Sequence, residues 1–193
     1  MGDLMTKEKW ILAVLGIMDL TLVIMHYTDY VLLFFKPTGY IIPLVLNILV
    51  LSVIAFKSKL SKVWTFAILF VGIPILLFHG FIVLWLDNKY TEIVNPTSQQ
   101  SLVIEYRHAT LGETTYFYDI YKTNFGFVGK HLDDQSISII VRDYSSSIDS
   151  ESILGLGKEE WVTTNTVRFF TRQGMKDVDL RLSQPSFKME ETR

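Results

Sequence analysis

The pattern of apolar and polar positions changes near residue 87. Before it, apolar residues run on with few interruptions; after it, they alternate with polar ones. The cleanest early run is Val63–Leu86, which holds no Asp, Glu, Lys or Arg and follows Lys57, Lys59 and Lys62. About 20 such residues, at about 1.5 Å each, cross the roughly 30 Å hydrocarbon layer of a bilayer. The run therefore predicts a transmembrane helix over 63–86, kinked at Pro74, whose ring clashes with the preceding turn. Ile11–Phe35 is apolar except for Asp19, His26 and Asp29, and predicts a first span over about 11–35. It is too long for the apolar core of a signal peptide, carries Asp19 in its middle, and has no small-x-small site before Lys36. Lys36-Pro37-Thr38-Gly39 reads as a tight turn. Tyr40–Phe56 reads as a short second span over about 40–56, with Pro43 in its first turn, where a missing N–H costs little. Trp10, Trp64, Trp85 and Tyr90 fall near span ends, the depth that aromatic rings prefer.

Residues 88–100 are predicted as a linker, because Asn95-Pro96-Thr97-Ser98 carries turn formers without periodicity. Beyond it, Leu102, Ile104 and Tyr106 alternate with Val103, Glu105 and Arg107, the pattern of a half-buried strand. Thr114–Thr123, Ser136–Arg142, Thr166–Arg172 and Lys176–Ser183 read as further strands. Turns fall at 109–113, 132–135 and 172–175. Asn124–Lys130 reads as a loop, and Tyr144–Lys158 as a long exposed connection. Trp161, Phe169 and the tyrosines of the second strand are expected to build the core. The fold class expected is membrane α plus all-β: three transmembrane helices within 1–87, then a small antiparallel β-sheet domain over 101–183. The sheet would be a meander closed as a sandwich or open barrel. Residues 184–193 form a tail.

Charge adds a direction. Lys7 and Lys9 precede the first span, three lysines precede the third, and Lys36 alone lies between the first and second. The excess of Lys and Arg on one side places the N-terminus and the 57–62 loop in the cytoplasm. With three spans, the C-terminal domain is then extracytoplasmic in a multi-pass protein of the cell membrane. The chain has 18 Lys and Arg against 20 Asp and Glu. It offers no basic field, so nucleic acid is not expected as a partner. There is no cysteine, which removes disulfides, thiolate metal sites and a cysteine nucleophile.

The chain carries few signs of catalytic chemistry. No GxSxG, HExxH or Walker spacing occurs, and Gly155-Leu156-Gly157-Lys158 lacks the upstream glycine of a phosphate loop. No catalysis, cofactor or metal is expected. Asp133 and Asp134 suit a hairpin tip. Glu105, and Asp119 on the neighbouring strand, are both placed outside by alternation. Within the spans, Asp19 and His26 are seven apart and share a helix face. His26, Asn47 and His79 all fall in the outer half of the bilayer. Asp19, His26 and His79 admit a proton- or ion-conducting element gated by the outer domain. Hydrogen bonds between helices account for the same residues. Two imidazoles fall short of the three or four protein ligands zinc uses. Phe117 and Tyr121 lie on the strand face opposite Tyr116, Tyr118 and Ile120. With Phe125 and Phe127 they form a candidate interaction surface. The function expected is display of an extracytoplasmic β-rich domain for binding, in sensing, assembly or protection. Its partners would be the lipid bilayer and either another protein or a second copy of the chain.

Overall fold

The computed structural model describes residues 2–57, 62–96, 100–124, 126–142 and 149–181. Two units share the chain, Met1–Asn88 and Lys89–Arg193.

The first unit is built from three apolar helices, α1 (Gly2–Tyr27), α2 (Ile41–Lys57) and α3 (Lys62–Leu86). Lys7–Tyr27 within α1 and the whole of α3 are long and apolar enough to cross a membrane, with 21 and 25 residues. At about 1.5 Å per residue these reach about 32 and 38 Å. α2 has 17 residues, about 26 Å. The structure thus holds two helices of spanning length where the sequence predicts three spans. Apolar rings and branched chains point outward along α3: Phe66 is 73% exposed, Phe70 82% and Leu84 83%. Pro74 lies inside α3, and Pro43 is buried in the first turn of α2. Gly72 of α3 lets Ile48 of α2 approach so closely that a Cβ would stand 3.0 Å from its side chain.

The span predicted over 11–35 ends early, at Tyr27. The Thr28 hydroxyl donates to the Ile24 carbonyl (2.9 Å) and occupies the last turn. Asp29 then takes φ 60°, a left-handed conformation that short polar residues tolerate better than most. The chain reverses into a short strand, β1 (Tyr30–Leu32), and a 3-10 turn at Lys36–Thr38. Gly39 closes that turn at φ 56°, donating its N–H to the Lys36 carbonyl at 2.9 Å. A Cβ there would run into Val83 of α3. Tyr40, with φ 63°, leads into α2. Val31–Phe35 is apolar, and apolar composition alone does not separate helix from extended chain.

The second unit is antiparallel throughout. Its strands are β2 (Lys89–Val94), β3 (Ser101–Leu111), β4 (Glu113–Asn124), β5 (Val128–His131), β6 (Ile137–Val141), β7 (Glu160–Thr163), β8 (Thr166–Thr171) and β9 (Gly174–Asp179). A short helix, α4 (Ser150–Leu154), precedes β7. β4 is the axis of the first sheet. β3 lines one edge of it in register from Leu111↔Glu113 to Ser101↔Thr123. The other edge is shared: β6 pairs with Thr114–Tyr118 and β5 with Tyr121–Asn124. β2 lies beyond β3. The second sheet runs β7-β8-β9. One core joins the two sheets, with Leu102, Ile104, Tyr118 and Ile139 from the first, Val167, Phe169 and Val178 from the second, and Leu180 just after β9. Burying each such side chain stabilises the fold by about 1.5–3 kcal/mol.

Several sequence expectations change here. The first half of the predicted linker 88–100 is strand β2. Its charged residues hide an alternation in which Ile93, 7% exposed, pairs with Leu102 in the core. Ser101–Tyr106 is buried on both faces, not one. The loop expected over 124–130 gives way to β5 from Val128. The connection over 144–158 contains α4, which sends Ile153 and Leu154 into the core. Tyr116, Tyr118 and Phe169 are core residues, and Trp161 packs against them partly buried. The last strand ends at Asp179. Leu182, Ser183 and the tail 184–193 lie outside the described residues, as does Lys59.

Candidate functional site

The polar residues of the helices pair off. The Asn47 amide on α2 donates to the Asp19 carboxylate on α1 at 2.8 Å. His79 on α3 meets the Gly39 carbonyl at 2.5 Å through Nε2, which must carry its proton to donate. His26 is exposed near the end of α1, and its ring meets Tyr27 edge-on at 5.9 Å. Among the described residues no polar contact joins His26 to Asp19 or His79. Among the described residues no group of three His, Cys, Asp or Glu lies in reach of one metal ion. What the pairs do is fasten elements: α1 to α2, and α3 to the 36–39 turn. Such bonds contribute about 0.6–2 kcal/mol each within a bilayer.

The second unit holds a more connected arrangement, on the face of the first sheet turned away from the core. Register aligns Tyr90, Glu105 and Asp119 across β2, β3 and β4. Glu105 is only 7% exposed. The Tyr90 hydroxyl donates to its Oε1 at 2.9 Å, and the Tyr121 hydroxyl to its Oε2 at 2.8 Å. Tyr121 stacks on the His131 imidazole, with ring centroids 4.8 Å apart. His131 pairs through Nδ1 with Asp133 and lies 3.6 Å from Asp119. Ser136 donates to Asp119 at 2.9 Å. Burial, reinforced by the Glu105 carboxylate, raises the Tyr121 phenol above its ordinary range. It therefore stays protonated and keeps donating at neutral pH. Beside this chain of groups the Ser101 and Thr123 hydroxyls bond one another, and Ser101 donates to Glu92 at 2.8 Å.

Chemically, the network fixes a charge and does not present one. The Glu105 carboxylate accepts from two phenols and is nearly closed from solvent. It locks three strands in register, because two of its partners come from different neighbours of β3. Alternation alone places Glu105 outside and misses this. The usable signal is the pair of tyrosines, one on each flanking strand, which converge on it only once the register is known.

Phe117 is half-buried beneath the Arg107 guanidinium, 5.0 Å from the ring centroid. Tyr121, 3% exposed, belongs to the sealed network, while Phe127 is 54% exposed. Phe125 lies outside the described residues. Tyr121 is thus withdrawn from any exposed aromatic stripe.

One cavity in the first unit has the size of a ligand site. Leu22, Val23 and His26 of α1 face Val31, Lys36 and Tyr40 of the returning chain across about 470 Å³. The Tyr40 hydroxyl is held by the Leu32 N–H at 3.2 Å, which fixes that wall. Comparison with family models, with curated proteins and with solved structures returns no match.

Proposed function

We propose that the chain is a multi-pass protein of the cell membrane. It displays the β unit on the extracytoplasmic side as a binding or assembly domain, not as an enzyme. One observation carries this reading. α3 has 25 residues and, after Lys62, holds no Asp, Glu, Lys or Arg, its rings exposed along the length, while the β unit closes its own core. In water, an exposed apolar surface of that extent drives association; in lipid it is the ordinary surface of a spanning helix. α2 completes a third span at the lower limit of about 17 residues, with Tyr40 and Lys57 suited to the two interfaces. The lysines then set the N-terminus inside and the β unit outside. The sealed Glu105 network favours binding over catalysis, since the most connected polar group of the domain serves its rigidity.

Reporter fusions after Leu86 and after Arg193, combined with protease treatment of intact cells, test the arrangement. Cleavage of the β unit in intact cells, with the chain resisting a carbonate wash, is the expected result. Release by the wash refutes the membrane reading, and protection of the β unit refutes its orientation. Crosslinking in native membranes, followed by mass spectrometry, then tests for a protein partner against self-association.

A further inference from the structure

We infer that the groove between β6 and β9, the open edges of the two sheets, takes the C-terminal tail of this same chain as an added strand. Among the described residues β6 bonds only to β4, and β9 only to β8. The Ile140 carbonyl accepts from the Gln173 amide at 3.1 Å, so Ile140 turns its backbone groups away from β4. With a period of two, Ser138 does the same. The Asp179 N–H reaches the Gln135 side-chain oxygen at 3.4 Å, so Asp179, Asp177 and Met175 turn theirs away from β8. The two glutamines thus occupy one backbone group at each end. Between them, among the described residues, no backbone bond crosses from Ser138 to Asp177 or Met175. Two hollows follow one another along the gap. One, of about 240 Å³, lies beside 134–138 and 176–178, and the other, of about 420 Å³, beside 139–142 and 172–173. A row of unpaired strand groups is a template for another strand, and proteins commonly cover such edges.

Place, length and pattern point to this occupant. β9 ends at Asp179, beside Gln135 at the near mouth of the groove, and residues 182–185, with Pro185, suffice for a reversal there. Residues 186–190, extended, cover about 17 Å, the length of the five-residue β6. Phe187 and Met189 alternate with Ser186, Lys188 and Glu190, the pattern of a strand with one apolar face. Such a strand runs antiparallel to β9 and parallel to β6. Charge follows the same order. Asp134 and Asp177 line the near hollow with Lys176, and Arg142 and Arg172 line the far one; the tail presents Lys188 first, then Glu190 and Glu191. Arg142 keeps Glu113 at 3.0 Å and Asp177 keeps Arg168 at 2.7 Å, so charge aligns the tail while the strand edges hold it. A second copy's tail carries the same residues but lacks the short tether, which sets the chain's own tail at about millimolar local concentration.

The test compares the full chain in detergent micelles with a chain ending at Ser183, reading hydrogen exchange by NMR at the amides of Ser138, Met175 and Asp177. Without the tail these amides should exchange about tenfold faster, the size of one net hydrogen bond. The Ile139 amide, which faces β4, should not change. Phe187→Asp together with Met189→Asp keeps the tail's length and should reproduce the faster exchange, so the test still decides if the shortened chain fails to fold. Because the chain has no cysteine, a short bifunctional maleimide should join Ser138→Cys to Lys188→Cys within one chain. Unchanged exchange at all three amides in the shortened and the double-aspartate chains overturns the site. Joined dimers in place of joined monomers overturn the occupant, since the groove then takes a second copy's tail. None of these readouts depends on the side of a membrane on which the β unit lies, so their failure is distinct from failure of the reading above.

Discussion

Replacing Tyr121 by Phe isolates one hydrogen bond at the centre of the β unit. The substitution deletes the hydroxyl that reaches Glu105 at 2.8 Å and leaves the ring stacked on His131. A hydrogen bond to a charged group contributes about 1.5–3 kcal/mol. Glu105 keeps the Tyr90 hydroxyl at 2.9 Å, so the carboxylate is weakened and not abandoned. The expected loss is about 1.5–3 kcal/mol, a roughly ten- to hundredfold rise in the opening equilibrium. Glu105→Ala should be harsher. It removes the acceptor of two hydrogen bonds, each contributing about 1.5–3 kcal/mol, for about 3–6 kcal/mol together. The assay is hydrogen exchange by mass spectrometry on the full chain in detergent, reading the amides of β3 and β4. Combining Tyr121→Phe with Glu105→Gln should give a coupling energy of about 0.5–3 kcal/mol. If both single variants stay within about 0.5 kcal/mol of the parent, the range of ordinary surface changes, Glu105 behaves as a solvated rim charge. Glu105 then does not hold the three strands in register.

Three further outcomes follow from other residues. Burial raises the phenols of Tyr118 and Tyr121, and burial together with Glu151 raises Tyr106. Unfolded tyrosine ionises near pH 10, so these groups leave stability level below about pH 10 and lower it as pH rises beyond that; phenolate absorbance that appears only with unfolding checks the sign. Gly155, at φ 80°, ends α4 where a Cβ would strike the Phe170 carbonyl; Gly155→Ala should cost about 1–3 kcal/mol, seen as faster exchange in α4 and β8. Asn47→Leu should remove the bond to Asp19 and lower the thermal stability of the detergent-solubilised chain by about 0.6–2 kcal/mol, whereas equal stability would mean that bond holds nothing.

The sequence made the two-part plan legible because its evidence is periodicity: Val63–Leu86 is unbroken and Ser136–Arg142 alternates. Other features depend on partners distant in the chain. α1 stops at Tyr27 although Val31–Phe35 is as apolar as the helix before it. What ends the helix is a conformation at Asp29, a residue that reads as one more polar interruption. β2 is disguised by Lys89 and Glu92, and becomes a strand because Ile93 finds Leu102. α4 hides in a Ser- and acid-rich stretch, where only Ile153 and Leu154 mark an inward face. For the site, alternation sorted β3 correctly into two faces but could not report that the second face is closed as well. That closure turns Glu105 from a surface charge into a locked one. The Asp19–Asn47 pair was within reach of the sequence, since both are polar groups in apolar runs and each needs a partner.

β4 touches three neighbours, and the order of the chain gives this a temporal meaning. β3 and β4 meet through the single residue Gly112 at φ 86°, so their contacts close the shortest loops in the β unit, and short closures form first. β5 and β6 are then added to an edge that already exists. The last to arrive is the stretch 166–181, which brings Val167, Phe169, Val178 and Leu180. Until that stretch docks, the core side of the first sheet lacks those four side chains. In that interval the β unit is most open to pairing with its own copies.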